Sequence, residues 1–367
     1  PDVHVVGTAL TRKFNFVAER GYIFSHNGFN RSDLFKVSVA DTGFNISCHP
    51  QVRDADAVIL SWINQGMLSL HDIKRLVSTG KALAWVMHDM WCMTGACHHA
   101  QDCGRYIEHC GNCQYFYEGK RRYDLSYRGI CRKRQLYEAA PGLKMIAVSS
   151  WLRDRAKESS LLAEREVYLV PNAFPAQDFY TEPSGLPVPA GIDSEKKLII
   201  MGAARLDDPI KNFPLAISSL NGLVELEPEL ADKCQAIFFG DLRDKTLLDQ
   251  LKMSYVHLGP LNDRRVIIEL YARSAVVLST SLFETLPGTI IEGMAAGCTP
   301  VATGNGGQRD ILDDGVTGYL VNSDSYEIAN ALRKSLSQPF DRVIQHQVIE
   351  KRFSAEVIAR SFLNLLS

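Results

Sequence analysis

The sequence predicts an α/β protein of two domains, each a parallel sheet covered by helices, and three observations carry that prediction. Short apolar runs alternate with stretches of helical periodicity, the signature of successive βαβ units. The alternation is interrupted at 181–195 (TEPSGLPVPAGIDSE), where three prolines and two glycines gather with few large apolar residues. A chain of 367 residues also exceeds what one core ordinarily holds, so two cores are expected.

The first series begins with the apolar run AVILSW (57–62), followed by helical spacing over 68–78, a glycine, and a second run, ALAWVM (82–87). After a cysteine-rich stretch it resumes with KMIAVSS (144–150), the helix-like WLRDRAKES and the run VYLVPN (167–172). The second series runs through KLIIMGA (197–203), QAIFFG (235–240), YVHLG (255–259), AVVLST (275–280) and TPVAT (299–303), with helical patterns over 213–226 and 264–272. The tail SAEVIARSFLNLL (354–366) starts at a serine suited to an N-cap and carries an apolar stripe. These elements divide the chain into a first domain over 1–180 with a cysteine-rich insert at 92–134, a linker at 181–196, a second domain over 197–345, and a C-terminal helix over 346–367 able to cross back to the first domain. Open parallel sheets bind ligands beyond their carboxyl ends, so a cleft facing both sheets is the expected site.

Composition narrows the partners. With 46% hydrophobic and 22% charged residues the chain is globular, which excludes a disordered, collagen-like or coiled-coil protein. Forty basic side chains against forty-two acidic ones disfavour a surface built to hold nucleic acid. No apolar run approaches the roughly 18 residues of a membrane span, and the first twenty residues lack the apolar stretch of a secretory signal, so a cytoplasmic location is expected.

The densest chemistry lies in SLFETLPGTIIEGMAAGCTPVAT (281–303). Glu284 falls in the loop after a strand, Pro287 and Gly288 open a short helix stopped by Gly297, and Glu292 sits about one turn inside it. The unpaired N–H groups of Gly288 and Thr289 suit an anion, and two carboxylates on different elements can reach two groups of one ligand. In MGAARLDDPIKNF (201–213), Arg205 and Lys211 follow a strand and can close over a diphosphate. Taken singly, each pair also reads as solvated surface charge.

Together the Glu-x7-Glu spacing of Glu284 and Glu292, the Arg205/Lys211 pair and GNGGQRDILDDGVTGYLV (304–321) resemble glycosyltransferase family 4, retaining enzymes of the two-Rossmann GT-B fold. WVMHDMWCMTGACHHAQDC (85–103) with CGNC (110–113) further resembles a bacterial subgroup associated with surface polysaccharides. The resemblance implies that Arg205 and Lys211 neutralise the donor diphosphate and that Glu292 holds the ribose hydroxyls. Glu284 would hold the transferred sugar with the backbone of Leu286, Pro287, Gly288 and Thr289, His88 would face that sugar from the first domain, and Leu258 and Gly259 would lie near the base. It implies a nucleotide-diphosphate sugar as co-substrate, a hexosyl transfer to a glycan or polyprenyl-diphosphate-linked acceptor, and no catalytic metal. His88 also reads as a core histidine at a strand end. Asp54-Ala55-Asp56 precedes a strand, so it reads as an entry turn and not as a metal motif.

Cys97, Cys103, Cys110 and Cys113 offer four thiols, with the C-x2-C pair of CGNC suited to a structural zinc ion; free thiols and disulfides remain open, and His98, His99 and His109 are alternative ligands. A reducing cytoplasm disfavours disulfides. The segment 115–134 carries Lys120, Arg121, Arg122, Arg128, Arg132, Lys133 and Arg134 among aromatics, which suits peripheral contact with an anionic inner membrane, a polyprenyl-diphosphate acceptor, or a solvated loop. The family's opening strand and Gly-rich loop are not found near the start, so that βα unit is expected upstream of Pro1. Rival readings are a GT-B nucleotide-sugar epimerase, a phosphorylase, for which no pyridoxal-phosphate lysine motif is seen, and a non-catalytic, zinc-stapled binding module using the basic segment. A dehydrogenase is disfavoured because no G-x-G-x-x-G follows an expected strand.

Overall fold

The computed structural model describes residues 3–116 and 122–366. The chain divides into two compact units, Pro1–Val170 together with Phe362–Ser367, and Pro171–Ser361. The first break therefore falls ahead of the expected boundary at 180, at the end of a strand.

The first unit opens with helix α1 (Ala9–His26), capped where the Thr8 hydroxyl accepts from the Thr11 N–H, and α2 (Pro50–Asp54). Helix α1 was not legible in the sequence. Four strands follow, β1 (Ala57–Leu60), β2 (Ala82–Met87), β3 (Lys144–Ala147) and β4 (Val167–Leu169), paired in parallel in that order. Between them run α3 (Leu70–Val77), α4 (Leu125–Ala139) and α5 (Ser150–Glu158). A reciprocal Ser69/Asp72 capping box fixes the start of α3, and the Ser149 hydroxyl caps α5. Asp54-Ala55-Asp56 is the turn from α2 into β1, as expected.

Helix α4 corrects the reading of the basic segment as a loop. Asp124 accepts from the N–H groups of Ser126 and Tyr127 and so starts a helix that carries Arg128, Arg132, Lys133 and Arg134. Lys133 is buried rather than solvated: its ammonium lies 3.4 Å over the Trp91 ring and donates to the carbonyls of Trp91 and Thr94. Burial pulls its pKa down to about 8. Arg132 is paired with Asp41, and Arg122 stacks on Tyr123. Lys120 and Arg121 lie outside the described residues.

The second unit is a six-stranded parallel sheet built from β5 (Lys197–Arg205), β6 (Cys234–Asp241), β7 (Tyr255–His257), β8 (Ser274–Ser279), β9 (Thr299–Thr303) and β10 (Tyr319–Val321). Its order is β10-β9-β8-β5-β6-β7, so chain order runs outward in both directions from β5 and reverses between β5 and β8. Helices α6 (Phe213–Leu226), α7 (Pro228–Ala231), α8 (Arg264–Arg273), α9 (Gly288–Ala295), α10 (Ser325–Ser337) and α11 (Arg342–Phe353) cover it. Alternate β5 residues serve opposite faces, Ile199 and Met201 joining one core while Leu198 and Ile200 join the other. A sheet buried on both sides explains why its strands read as unbroken apolar runs.

The expected C-terminal helix is two, α11 and α12 (Ala355–Leu366). At Ser354 ψ swings to 150°, its N–H closes on Glu350 while its carbonyl accepts from Ile358, and the preceding Phe353 carbonyl leaves the helix to accept from Phe174. Beyond Ser361 the chain belongs to the first unit, where the Lys144 ammonium donates to the Leu365 carbonyl. Among the described residues no helix is long and apolar enough to cross a membrane.

Candidate functional site

In a sheet whose strand order reverses between two neighbours, the loops leaving those strands part and form a crevice. Here these are the loops after β5 and β8, and they carry Arg205, Lys211 and Glu284. The β5 chain passes through a short 3-10 turn at Pro209–Lys211, and Asn212 takes a left-handed conformation (φ 51°) before α6 begins. The Thr280 hydroxyl at the end of β8 donates to the carbonyls of Lys211 and Asn212, and the Leu282 N–H donates to Ile210. The two loops are thereby stitched together.

The stitching brings the Lys211 ammonium to 2.5 Å from Glu284 Oε1, which also accepts from the Ser281 hydroxyl at 2.9 Å. Both side chains are half-buried, so a cation and a carboxylate are held in one fixed arrangement with an open side. Arg205 is committed differently, its guanidinium 3.2 Å from Asp207 and 3.4 Å from Asp208. The Glu284 backbone is pinned from a third element. The Gly307 N–H donates to the Glu284 carbonyl at 2.9 Å, and a Cβ on Gly306 would stand 2.1 Å from the same oxygen.

Helix α9 begins at Pro287 with no side-chain cap, and Gly288 at its first position is exposed. The free N–H groups of that turn, with the helix dipole behind them, make an anion-accepting end beside the crevice loops. Leu286 is half-buried and packs on the core, and Thr289 is half-buried. One turn into the helix, burial raises the pKa of Glu292, partly opposed by the Tyr271 hydroxyl and the charge of Arg264. Tyr271 is itself fully buried, with its ring edge-on to Phe239. Leu258 and Gly259 follow β7, half-buried, with Gly259 left-handed (φ 66°) and its carbonyl accepting from Gly240.

Gln308 was missed by sequence reasoning. It is fully buried on the loop that pins Glu284, and neither end of its amide has a hydrogen-bond partner among the described residues. A buried unpaired amide is costly, about 1–3 kcal/mol, and no sequence pattern distinguishes it from the polar residues of an ordinary turn.

In the first unit His88 stands at the carboxyl end of β2, its Nε2 hydrogen-bonded to Ser61 at 2.7 Å. Burial lowers its pKa, partly opposed by Asp89, which favours the neutral ring. Next to it Asp89 bonds His98 Nδ1 at 2.6 Å, and His98 Nε2 bonds Ser38 at 3.0 Å. This has the outline of a nucleophilic relay, but Ser38 is wholly buried and its oxygen accepts from Arg20, so it is a structural tie. It also removes His98 from the ligand choices for a metal. The four insert cysteines, Cys97, Cys103, Cys110 and Cys113, are free thiols lining one small cavity. Among the described residues no group of three His, Cys, Asp or Glu side chains is placed to hold a metal ion. A cavity of about 540 Å³ in this unit, bordered by Arg105, His109 and Arg122, contains none of the expected donor-site residues.

Residues 195–338 match the family Glycosyl transferases group 1, so the second unit carries a glycosyltransferase domain. Over 101 residues the chain is 32% identical to the alpha-1,3/1,6-mannosyltransferase ALG2 of Dictyostelium discoideum, covering 28% of this chain and 24% of that protein. Over 128 residues it is 29% identical to the D-inositol 3-phosphate glycosyltransferase of Thermobifida fusca, covering 32% and 30%. The chain thus spans less than half the length of these curated relatives. Among solved structures it is similar to Anabaena HepE in complex with UDP and glucose (TM-score 0.57, 18% identity, 86% of this chain and 78% of that one). It is likewise similar to a UDP-forming trehalose-phosphate synthase from Burkholderia xenovorans in complex with glucose-6-phosphate (TM-score 0.59, 14% identity, 86% and 75%). The fold is that of the GT-B glycosyltransferases, two parallel-sheet α/β domains, as the sequence predicted.

Proposed function

We propose that this chain is a retaining glycosyltransferase that moves a sugar from a nucleotide-diphosphate donor to a glycan or polyprenyl-diphosphate-linked acceptor in bacterial polysaccharide assembly. The observation that carries the reading is the Lys211–Glu284 contact at the β5/β8 reversal, beside the uncapped start of α9. A cation, an anion-accepting helix end and a carboxylate in one crevice match a ligand that presents phosphate next to sugar hydroxyls.

In this reading the donor diphosphate lies against Lys211, Arg205 and the Gly288–Thr289 backbone, while Glu292 accepts from the ribose hydroxyls and the base lies by Leu258 and Gly259. Glu284 accepts from hydroxyls of the transferred sugar, and His88, neutral at physiological pH, acts on the same sugar. As the bond from the sugar's anomeric carbon to the diphosphate oxygen breaks, negative charge grows on the leaving group, and fixed cations and N–H donors lower that cost. The acceptor oxygen bonds the anomeric carbon on the same face, and its proton passes to the departing phosphate, so no protein nucleophile is required. The HDMW segment and CGNC support the polysaccharide assignment through the subgroup they resemble.

The test is a thermal-shift screen of the chain against UDP, GDP, ADP and their sugar conjugates, repeated with Glu292→Ala. A ligand bound only by the folded state raises the melting point, by about 2.7 kcal/mol of stability at a hundredfold excess over Kd. Stabilisation by one nucleotide that is lost in the variant supports the reading. Equal stabilisation of both proteins refutes the role of Glu292, and none by any nucleotide refutes the donor site.

A further inference from the structure

We propose that the insert of the first unit holds one structural zinc ion through Cys97, Cys103, Cys110 and Cys113. The inference is independent of the donor site, since none of these residues lies in the glycosyltransferase domain.

Four cysteines, two of them from the Cys110–Cys113 turn, border a single cavity of about 20 Å³, whose wall also includes Tyr106 and Ser126. That volume takes one ion or one water and excludes an organic ligand. Cys97 lies within electrostatic reach of the other three, and Cys113 within reach of Cys103 and Cys110, so the four thiols form one cluster. A borderline-soft ion that accepts four sulfurs without a geometric preference of its own is zinc.

The backbone around the cluster is fixed in ways a metal site requires. In Cys110-Gly111-Asn112-Cys113 both central residues have positive φ, 139° and 49°, which turns the chain sharply between the two thiols. Gly111 is needed there, since a Cβ would stand 2.4 Å from the Arg122 carbonyl. Arg105 clamps the turn by donating to the carbonyls of Gly111 and Asn112 at 2.8 and 2.7 Å. The Cys113 N–H donates to Asp124 at 2.6 Å, tying the knuckle to the start of α4. Cys97 is held by a bridge to Val37 and by the Thr94 hydroxyl on its carbonyl, and the Cys103 N–H closes a turn on Ala100.

The sulfurs also receive N–H groups. The Gly95 N–H donates to Cys110 Sγ at 3.1 Å, and the Tyr115 N–H bonds Cys113. Such donors stabilise metal-bound thiolate and orient the ligand. As the side chains stand, no three of these groups are placed to hold an ion, so binding requires the thiols to turn into the cavity they line. Cys97 and Cys113 also pack on the cluster of Ile23, Val37, Tyr115, Phe116 and Leu125, so the ion would lock that small core.

The experiment measures metal in the full chain after expression with zinc and removal of loosely bound ions. Mass spectrometry of the metal content is expected to give about one zinc per chain, released when a mercurial titrates the thiols. Growth with cobalt is expected to give a protein with the visible bands of tetrahedral Co²⁺ and the sulfur-to-metal charge-transfer bands of a tetrathiolate. Cys110→Ser with Cys113→Ser should lower zinc about tenfold, whereas Cys48→Ser and Cys234→Ser, outside the cluster, should leave it unchanged. If the cluster variants fail to fold, the cobalt spectrum of the unaltered chain decides. Folded protein with less than about a tenth of an equivalent of zinc, with four reactive thiols or with a disulfide among the four, overturns the proposal.

Discussion

Replacing Gly306 by alanine tests whether the position of Glu284 matters to the chemistry. The added Cβ would stand 2.1 Å from the Glu284 carbonyl oxygen and 2.8 Å from its nitrogen, both backbone atoms, where real Cβ atoms essentially never approach within 3.0 Å. Relief requires the two loops to part by about 0.9 Å, the difference between 2.1 and 3.0 Å, which also strains the Gly307–Glu284 hydrogen bond. Gly306 has φ 176°, so alanine adopts its backbone without conformational cost and the effect is purely the displacement. A misplacement near 1 Å costs a reaction roughly 10²-fold, about 2.7 kcal/mol of transition-state stabilisation. The assay is kcat/KM for release of the nucleoside diphosphate, using the donor found by thermal shift, with circular dichroism to confirm folding. Gly142→Ala, whose Cβ meets nothing within 4 Å, should be neutral. A folded Gly306→Ala protein with kcat/KM within about twofold of the parent would refute the reasoning, because the Glu284 loop would then have no exact place to keep.

Lys211→Met leaves Glu284 without its cation and is expected to lower kcat about 10²- to 10³-fold, the cost of losing one fixed donor to a developing charge; an unchanged kcat in steady-state kinetics counts against the assignment. Burial raises the Glu292 pKa, and the carboxylate accepts from ribose hydroxyls more strongly than the protonated acid, so nucleotide affinity should weaken on acidification at a higher pH than for an ordinary glutamate. Calorimetric titration between about pH 7 and 5 should show this, and Glu292→Gln should flatten it. Glu269 carries the opposite shift: burial works upward but is outweighed by hydrogen bonds from Ser184, Arg273 and Tyr180, which take it down to about 2. Its folded pKa lies below the unfolded one, so its stabilisation is full above roughly pH 4.3 and is lost as pH falls toward 2. Glu269→Gln should lower the melting point at neutral pH, by about 3 kcal/mol of stability, and remove that acid limb.

The second unit was legible because a parallel sheet buried on both faces writes its strands as apolar runs. Helix α6 and strand β9 follow the sequence boundaries, and Gly297 ends α9 through a positive φ of 86°. Helix α1 was not legible, since Leu10, Phe14 and Val17 are exposed while Glu19 and Arg20 are buried, which inverts the pattern that marks a helix face. The Glu19–Arg20 pair is held by backbone groups of residues distant in sequence, the Val39 N–H on Glu19 and the Val37 carbonyl on Arg20, a tertiary fact no local window contains. Lys133 was misread for the same reason: its neighbours in sequence are solvated cations, but its neighbours in space are Trp91 and two carbonyls. At the site, residue types revealed Glu284, Lys211 and Glu292, whereas the direct Lys211–Glu284 contact and the buried amide of Gln308 depend on loops that only the fold brings together.

The assignment of Phe362–Ser367 to the first unit has a consequence for biosynthesis. A ribosome extends the chain from the amino end, and a domain whose residues are contiguous can fold as soon as it emerges. Here the second unit ends at Ser361, so it is released whole while the first still lacks its final segment and the partner of Lys144. The half made earlier is therefore the half completed later, and throughout translation of the remainder it is exposed to chaperones and proteases in an unfinished form. A stop codon at 362 would spare every residue of the glycosyltransferase domain yet leave its damage in the other unit.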